Sequence, residues 1–510
     1  MKRFLERHKG RITGTLSGFD RVLFRGTLRS IAHVSGLQVF LYSQHVLFKD
    51  FGGYAESLSQ RIIEQAKATA SKLGRPYQYL QSSNESKEEL ARELMEQQGI
   101  KEGLICVFAC VEPCQAFDLR KDRTAKQLKL VSRERKCRHL YYYYLDREFG
   151  LMHVRLQTWL PFTIQVCLNG REWLARKMDR AGITYTKRDN CFTQISELKK
   201  AQQFMDRLTN RNWRRFLDAL AQKVNPWIQP KEGLDIRSYY WSVRQGEYAT
   251  DVMFHNAETL AEIYPLLLRH AMFQFGSEEV MRFLQRRTDK RFTGEVSSDL
   301  KRRIEGIRVK HRVEENSIKM YDKQGSVLRI ETTINNPRRF RVHRSGTCRG
   351  KIVKKWLPMR KGIADIRRRV ELSRAANARY LDALSVVGLE TPSYRLLDRV
   401  NHVVKKASRQ YRALRPISPD DSSLFQIILH GEHSLQGFRN RDLLQAFANT
   451  DPKPTKNGSA RISRLLALLR AHKLIYKVFK TNYYRITRKG HQVMATALKF
   501  RQPDIALLAA

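Results

Sequence analysis

The sequence has few cysteines and no close cysteine pair. It contains seven cysteines in 510 residues, and no two of them form a Cys-x-x-Cys pair. An odd number without paired spacing argues against a disulfide framework and against a structural zinc site. Cys106, Cys110 and Cys114 recur every four residues. Because apolar residues surround them, we predict that they are small core residues of a buried strand.

Three other patterns are missing from the chain. No apolar run approaches the roughly 20 residues needed to cross a bilayer. The basic start, residues 1–9, lacks the apolar segment of a signal peptide. No glycine-rich phosphate loop is present, which argues against nucleotide hydrolysis. We therefore predict an intracellular, cytoplasmic protein without a membrane partner.

Acidic residues are scarce relative to basic ones. The chain has 95 Lys and Arg against 50 Asp and Glu, which gives a formal net charge of +45. This surplus is spread along the whole chain and predicts a polyanionic partner, nucleic acid rather than an anionic membrane. An apolar fraction of 42% is that of a folded protein. A chain of this length predicts several domains.

Helical and strand patterns follow one another irregularly, which predicts an α+β fold and not a repeating βαβ one. We predict one α+β domain at residues 1–195 and a second at 196–399, followed by a basic linker at 400–419. The second domain would contain a basic segment, residues 338–374, and the acidic residues discussed below. Residues 420–510 would form a separate C-terminal domain.

The sequence pattern of the C-terminal region predicts three helices, a two-stranded hairpin and a last helix. This order resembles the winged helix-turn-helix domains of bacterial MarR-type regulators over roughly 75 residues. Arginines of the third helix would reach the major groove, and the hairpin would add contacts to the phosphate backbone. Such domains also act as protein–protein modules, but the charge favours DNA. The predicted nucleic-acid-binding residues are Arg461, Arg464, Arg470, Lys477, Lys480, Arg485, Arg488 and Lys489.

Residues 316–335 have the pattern of a strand, a tight turn and a second strand. Asp322 lies at the turn and Glu331 lies within the second strand. A carboxylate inside a strand is unfavourable unless it is paired or holds a cation. Two interpretations follow: a metal site, or a structural arrangement in which Asp322 caps the turn and Glu331 pairs with an arginine such as Arg329.

The same residues resemble the core motif of rolling-circle replication initiators of the plasmid and filamentous-phage type. The matching residues are Tyr321, Asp322, Lys323, Arg329 and Glu331. In that family, carboxylates hold a divalent metal that polarises a scissile phosphate, and a tyrosine attacks it. The resemblance implies that Asp322 and Glu331 bind Mg²⁺ or Mn²⁺. It also implies that Lys323 and Arg329 contact or orient the phosphate.

The resemblance further implies a nucleophilic tyrosine on a helix after the hairpin. Tyr380 lies on such a predicted helix and is preferred to Tyr394 and Tyr321. The sequence departs from the family in one respect. The His-x-His pair of many rolling-circle nucleases is absent, and His153 and Gln157 have a different spacing.

More acidic residues lie in the strand pattern near residues 239–254. Glu247 and Asp251 are separated by an even number of residues, so we predict that they share one face of the strand. If that face meets the hairpin, these residues and the two hairpin acids converge as in a metal-dependent nuclease. Otherwise they pair with surplus arginines. Asp20 is either a further ligand or half of an ion pair, and we favour the ion pair.

As a whole, the chain resembles an uncharacterised bacterial family of similar length. Asn169-Gly-Arg-Glu-Trp-Leu-Ala and Gly437-Phe-Arg-Asn-Arg-Asp-Leu carry that resemblance. It implies a prokaryotic, mobile-element origin but no activity. We therefore predict a DNA-binding protein of a mobile element or replication system, with metal-dependent nicking or strand transfer. The alternatives are a non-catalytic regulator and an RNA-binding partner of a mobile element.

Overall fold

The computed structural model describes most of the chain as two compact units. The first unit contains Met1–Arg286 and Gly294–Ser385, and the second contains Arg287–Thr293 and Val386–Ala510. Helices and strands follow one another irregularly and nearly all strand pairs are antiparallel, so the predicted α+β class is confirmed. The described residues are 1–122, 124, 126–228, 234, 238–285, 296–303, 306–348, 351–387, 393–406, 409–429, 433, 437–450, 458–479 and 481–501.

Most strands of the first unit form one large mixed sheet. The strands are β1 (Ile12–Thr27), β2 (Tyr77–Tyr79), β3 (Gly103–Asp122), β4 (Gln127–Asp146), β5 (Gly150–Gln157), β6 (Ile164–Asn169), β7 (Tyr185–Arg188), β8 (Cys191–Ile195), β9 (Tyr240–Phe254), β10 (Val296–Arg303), β11 (Gly306–Val313), β12 (Asn316–Lys323), β13 (Val327–Thr333), β14 (Arg341–Cys348) and β15 (Lys351–Pro358). The 11-stranded sheet has the order β10-β11-β12-β13-β9-β1-β6-β5-β4-β3-β2. The pairs β7–β8 and β14–β15 form separate hairpins.

Helices cover this sheet. They are α1 (Lys2–Arg7), α2 (Val34–Ser43), α3 (Phe51–Lys72), α4 (Lys87–Gln97), α5 (Gly170–Arg180), α6 (Leu198–Thr209), α7 (Trp213–Val224), α8 (Ala257–Ala261), α9 (Tyr264–Gln274), α10 (Ser277–Phe283) and α11 (Ile366–Leu384). Asn169 caps the N-terminus of α5, since its side chain accepts hydrogen bonds from the backbone N–H groups of Arg171 and Glu172. Among the described residues, none of the helices combines the length and the apolarity that crossing a membrane requires.

The sheet crosses the division that the sequence analysis placed at residue 195. β1 pairs with β6 on one side and with β9 on the other, both antiparallel. The hydrophobic core is likewise shared, because Phe24 of β1 packs against Trp213 of α7. Residues before and after 195 therefore belong to one compact unit, whose strands come from both predicted α+β regions.

The predicted hairpin at 316–335 is confirmed as the antiparallel pair β12–β13. Its turn contains Gln324 and Gly325, which both have positive φ, 55° and 72°. Such backbone angles favour glycine and match the right-handed twist of the flanking strands. Every residue of β13 is buried, because the strand is covered on both faces. Polar side chains on β13 must therefore find partners within the protein.

The second unit is smaller and has its own apolar core. It contains α12 (Ser393–Asp398), β16 (Val404–Lys406), β17 (Arg409–Tyr411), α13 (Pro419–Leu429), α14 (Asn440–Thr450), α15 (Gly458–Ala471), β18 (Ile475–Lys477), β19 (Tyr484–Ile486) and α16 (Arg488–Phe500). β16 and β17 form a hairpin inside the predicted linker, and β18 and β19 form a second one. An isolated bridge pairs Phe438, which precedes α14, with Tyr484 of β19.

Candidate metal centre

The register of the β12–β13 hairpin separates the two acids that the sequence analysis placed together. Glu331 lies opposite Lys319, whereas Asp322 lies opposite Leu328. Since side chains alternate between the two faces of a strand, Glu331 and Asp322 lie on opposite faces. We call the side that carries Glu331 the carboxylate face. Asp322 accepts a hydrogen bond from the Ile307 N–H, so the predicted ligand instead binds the backbone of β11.

The predicted shared face of Glu247 and Asp251 is confirmed. On β9, Glu247 lies opposite Thr333 and Asp251 lies opposite Arg329 of β13. Both pairs are on the carboxylate face, because Arg329, Glu331 and Thr333 alternate with the intervening residues of β13. The hairpin and β9 therefore do meet through this face.

A β-bulge in β1 adds a fourth carboxylate to this face. Phe19 pairs with Tyr248 and Val22 pairs with Gly246, so two residues of β1 face the single residue Glu247 of β9. These two residues are Asp20 and Arg21. A bulge of this kind re-aims a side chain, and here it places Asp20 beside Glu247 in the middle of an otherwise apolar strand.

Asp20, Glu247 and Glu331 converge as the carboxylate triad. One carboxylate oxygen from each lies within 4.8 Å of those of the other two. The Asp20 and Glu331 residues are 3% and 2% exposed, whereas the Glu247 side chain is 18% exposed. The triad is thus buried on two sides and reaches solvent at Glu247.

Cationic and polar side chains surround the triad. The Lys319 Nζ lies 2.5 Å from Glu331 Oε1 and 3.7 Å from Glu247 Oε1. The Tyr321 hydroxyl donates to Glu331 Oε2 at 2.6 Å, and Gln245 donates to Glu247 at 2.8 Å. Both oxygens of Glu331 therefore have a partner, Oε1 the ammonium of Lys319 and Oε2 the phenol of Tyr321.

Asp251 lies on the same face, but two arginines compensate its negative charge. The Arg329 guanidinium donates to both of its oxygens, at 2.6 and 3.0 Å, and the Arg171 Nη2 lies 2.9 Å away. Arg329 also donates to Asp20 at 2.8 Å, so the predicted ion pair of Asp20 is confirmed. Because Arg329 is fully buried between two aspartates, it holds the site together and does not present itself to a phosphate.

The charges around the triad do not balance. Among the described residues, the four carboxylates of the triad and Asp251 have three cationic partners within ion-pair distance: Arg171, Lys319 and Arg329. In addition, the Thr333 hydroxyl, directly opposite Glu247, is buried and has no hydrogen-bond partner within the part of the chain that the structure describes. A buried hydroxyl without a hydrogen-bond partner is energetically costly. The site thus combines a carboxylate charge without a counter-ion and a neighbouring hydroxyl oxygen that is free to act as a metal ligand.

The ionisation of the triad reflects this imbalance. Burial raises the pKa of Glu247, and the negative charge of Glu331 raises it further. Burial also opposes ionisation of Glu331, but Lys319 and the Tyr321 hydroxyl outweigh it and lower the pKa of Glu331. A cation in the triad would therefore compete with a proton on Glu247, and its affinity would fall as the pH drops.

The structure does not bring Tyr380 to the triad. Tyr380 is fully buried on α11, where its hydroxyl shares a hydrogen bond with His311 at 3.1 Å and its ring packs against Phe275. α11 covers the face opposite the carboxylate face, since its Asn377 is hydrogen-bonded to Thr332 of β13. The predicted nucleophile is thus on the wrong side of the sheet, and the tyrosine in contact with a carboxylate of the triad is Tyr321.

The other predicted residues are distributed as follows. The Lys323 Nζ is paired with Asp189 at 3.0 Å and its side chain is 3% exposed, which leaves little of it for a phosphate. On the second unit, side chains on α15, β18 and β19 are exposed: Arg461, Arg464, Arg470, Lys477 and Arg485. Lys489 is partly buried and donates to the His472 carbonyl. Lys480 and the side chains of Arg488 and Tyr394 lie outside the described residues.

Basic side chains continue along the carboxylate face from the triad. Arg21 and Arg25 lie four residues apart on β1, hence on one face. Arg244 lies at an irregularity in the pairing of β9 with β1, and its charge acts on Arg25. The Nε of Arg25 is buried without a hydrogen-bond partner. Burial lowers the pKa of Arg25, and the charges of Arg244 and Arg155 lower it further. Such crowding of like charges favours the binding of an anion next to the triad.

The sequence analysis identified Glu247 and Glu331 as candidate ligands but missed Lys319 and Thr333. It considered Asp20 both as a ligand and as half of an ion pair, and it favoured the ion pair. The sequence signal for Asp20 was the presence of an acidic residue within an otherwise apolar strand pattern.

Comparisons with protein-family models, with curated proteins and with solved structures found no match for this chain. The function must therefore be inferred from the geometry of the site.

Proposed function

We propose that this protein is a nucleic-acid-cleaving enzyme that depends on a divalent cation, Mg²⁺ or Mn²⁺, held by the carboxylate triad. The observation that carries the proposal is the convergence of Asp20, Glu247 and Glu331 from three different strands within 4.8 Å. Three carboxylate oxygens this close to one another could surround a single divalent cation once they move closer together.

The donor set fits a hard cation. All three groups are carboxylates, and hard divalent cations prefer oxygen ligands. The Thr333 hydroxyl lies opposite Glu247 and is available as a further oxygen donor. Lys319 now lies between Glu247 and Glu331. Its long, flexible side chain can withdraw toward solvent when a cation binds.

The bound cation would supply charge stabilisation to a scissile phosphodiester. In our proposal the attacking group is the Tyr321 hydroxyl, which replaces Tyr380 in that role. The Tyr321 oxygen forms a bond to phosphorus, and the bond between phosphorus and the 3′-oxygen of the preceding nucleotide breaks. The phenol proton passes through Glu331 Oε2, 2.6 Å away, to this leaving oxygen, which departs as a 3′-hydroxyl. Arg21 and Arg25 lie on the carboxylate face of β1 and would hold the neighbouring phosphates.

The second unit supports the choice of DNA as the substrate. Its elements α13, α14 and α15, the β18–β19 hairpin and α16 follow the order expected of a winged helix. On α15, Arg461 and Arg464 are exposed whereas Ile462, Leu466 and Leu469 are buried. We infer that this unit docks duplex DNA through α15. Binding to a duplex that does not weaken as salt is raised would contradict this inference.

The tyrosine that attacks can be identified by a matched pair of substitutions. With labelled single-stranded DNA and Mn²⁺, the wild-type chain is expected to leave label attached to the protein through a phosphotyrosine bond. Tyr321→Phe is expected to abolish this attachment, whereas Tyr380→Phe removes a hydroxyl on the opposite side of the sheet and leaves it unchanged. Denaturing gel electrophoresis separates protein-linked from free label. Cleaved strands that all migrate free of protein would assign the attack to water and overturn the role of Tyr321.

A further inference from the structure

A cavity of about 580 Å³ opens at the end of β1 and β9 that lies away from the triad. Its volume is in the range of sites for small ligands. The wall is formed by aromatic and arginine side chains, mainly Arg29, Arg214, Tyr240, Trp241, Arg344 and Arg360. Nothing in the proposed cleavage step uses these residues. Aromatic rings next to guanidinium groups form the combination that binds the bases and phosphates of single-stranded nucleic acid.

Arg29 is held flat against an aromatic ring in this cavity. Its guanidinium carbon lies 3.6 Å from the centroid of the Tyr240 ring, a cation–π contact. The segment that contains Gly362 closes over the same tyrosine, since a Cβ at this position would lie 2.4 Å from the Tyr240 hydroxyl. Tyr240 is thereby fixed, and the exposed Arg29 presents its other planar face for a base to stack upon.

The positive charge in the cavity is only partly compensated. Asp365 is its acidic lining residue, and it already accepts hydrogen bonds from the Arg344 side chain at 3.0 Å and the Arg360 N–H at 2.7 Å. Among the described residues, the guanidinium groups of Arg29 and Arg360 have no carboxylate partner. Two unpaired guanidinium groups beside a fixed aromatic ring favour an anionic ligand with a planar group.

Basic residues recur along the chain between the triad and the cavity. Arg21 and Arg25 share the carboxylate face of β1, and Arg29 follows four residues later at the cavity. On β9, Tyr240 and Glu247 are seven residues apart, which corresponds to about 23 Å along an extended strand. At 3.4 Å per stacked nucleotide this distance spans about seven nucleotides. Binding sites of this length are common for single strands.

We propose that this cavity binds one nucleotide unit of a single nucleic-acid strand, whose backbone then follows β1 to the carboxylate triad. Arg29 stacks on the base, and Arg360 pairs with the phosphate of the same unit. The inference rests on the proposed function in one respect, namely that the bound nucleic-acid strand runs from the cavity toward the triad. It identifies a second contact that would determine which phosphate reaches the triad.

Fluorescence anisotropy of a labelled oligodeoxythymidine of about 20 nucleotides tests this site in EDTA, where no metal-dependent cleavage occurs. In the full-length chain, Arg29→Ala and Arg360→Ala are each expected to weaken binding about 10-fold, the effect typical of one lost stacking or phosphate contact. Arg120→Ala removes an exposed arginine of β3, four strands away from β1 in the sheet, and is expected to change binding less than about 2-fold. Circular dichroism verifies that each variant is folded.

The outcomes separate this site from the proposed function. If Arg29→Ala and Arg360→Ala bind like Arg120→Ala, the cavity is not a nucleotide site. If the two variants lose binding of thymidine monophosphate but not of the oligonucleotide, the cavity takes free nucleotides and the strand path is wrong. Cleavage in Mn²⁺ is measured separately. A protein that does not cleave but shows the expected anisotropy losses would overturn the proposed function and leave this site in place.

Discussion

Replacing Glu331 with glutamine is expected to lower the rate of Mn²⁺-dependent DNA cleavage by at least about 10³-fold. Glu331 is one of the three carboxylates of the triad, and its Oε2 accepts the hydrogen bond from the Tyr321 hydroxyl. A metal that polarises a phosphate contributes several kcal/mol to transition-state stabilisation, and each 1.36 kcal/mol corresponds to about tenfold in rate. The substitution preserves the shape of the side chain while it removes both the negative charge and the proton acceptor.

Asp322→Asn is the matched control for this variant. Asp322 is an acid of the same hairpin, but it lies on the opposite face, and an asparagine oxygen can still accept the hydrogen bond from Ile307. We expect this variant to cleave within about 3-fold of the wild type, since no bond to the reacting groups is lost. Equal loss in both variants would mean that the hairpin matters for folding only. Full activity of Glu331→Gln would exclude the triad as the catalytic centre.

Replacing Arg329 with methionine is expected to destabilise the first unit by about 3–5 kcal/mol. Arg329 is fully buried and makes charge-assisted hydrogen bonds to Asp20 and Asp251, together with one to the Asn190 carbonyl. Removing it leaves two buried carboxylates with less compensation, which costs more than the ion pairs themselves contribute. All six tryptophans lie in the first unit, so urea unfolding followed by tryptophan fluorescence reports on this unit.

Arg92→Met serves as the control for Arg329→Met. Arg92 forms an exposed ion pair with Glu88 one turn earlier on α4. Pairs of this kind contribute about 0.5 kcal/mol or less, because solvent screens them. A loss below about 1 kcal/mol for Arg329→Met would show that the two aspartates are compensated without it. The assignment of Arg329 to a structural role, and not to a contact with phosphate, would then be wrong.

The local pattern of the chain predicted part of the site. The alternation of the β9 strand placed Glu247 and Asp251 on one face, and the turn residues placed the hairpin correctly. The wrong conclusion about Asp322 came from treating the hairpin as one cluster. Its register, which the turn determines, places Asp322 and Glu331 on opposite faces. A one-residue difference in register decides which acid belongs to the triad.

The remaining errors concern long-range structure. No local signal shows that Asp20 and Arg21 form a bulge, because the bulge exists only in the pairing of β1 with β9, more than 200 residues away. The position of Tyr380 on a helix after the hairpin was predicted correctly, but the sequence does not show which face of the sheet that helix covers. Likewise, Arg329 matches a motif position, yet its burial between two aspartates depends on three separate segments.

The central claim is that the triad binds a divalent cation, and a Mn²⁺ titration followed by electron paramagnetic resonance tests it most directly. The alternative is a purely structural network in which Lys319 is the permanent cation of Glu247 and Glu331. At neutral pH we predict that the metal-free wild-type chain binds one Mn²⁺, and that Asp20→Asn weakens this binding about tenfold or more. Absence of bound Mn²⁺ in the wild type, or equal binding by Asp20→Asn, would contradict the claim.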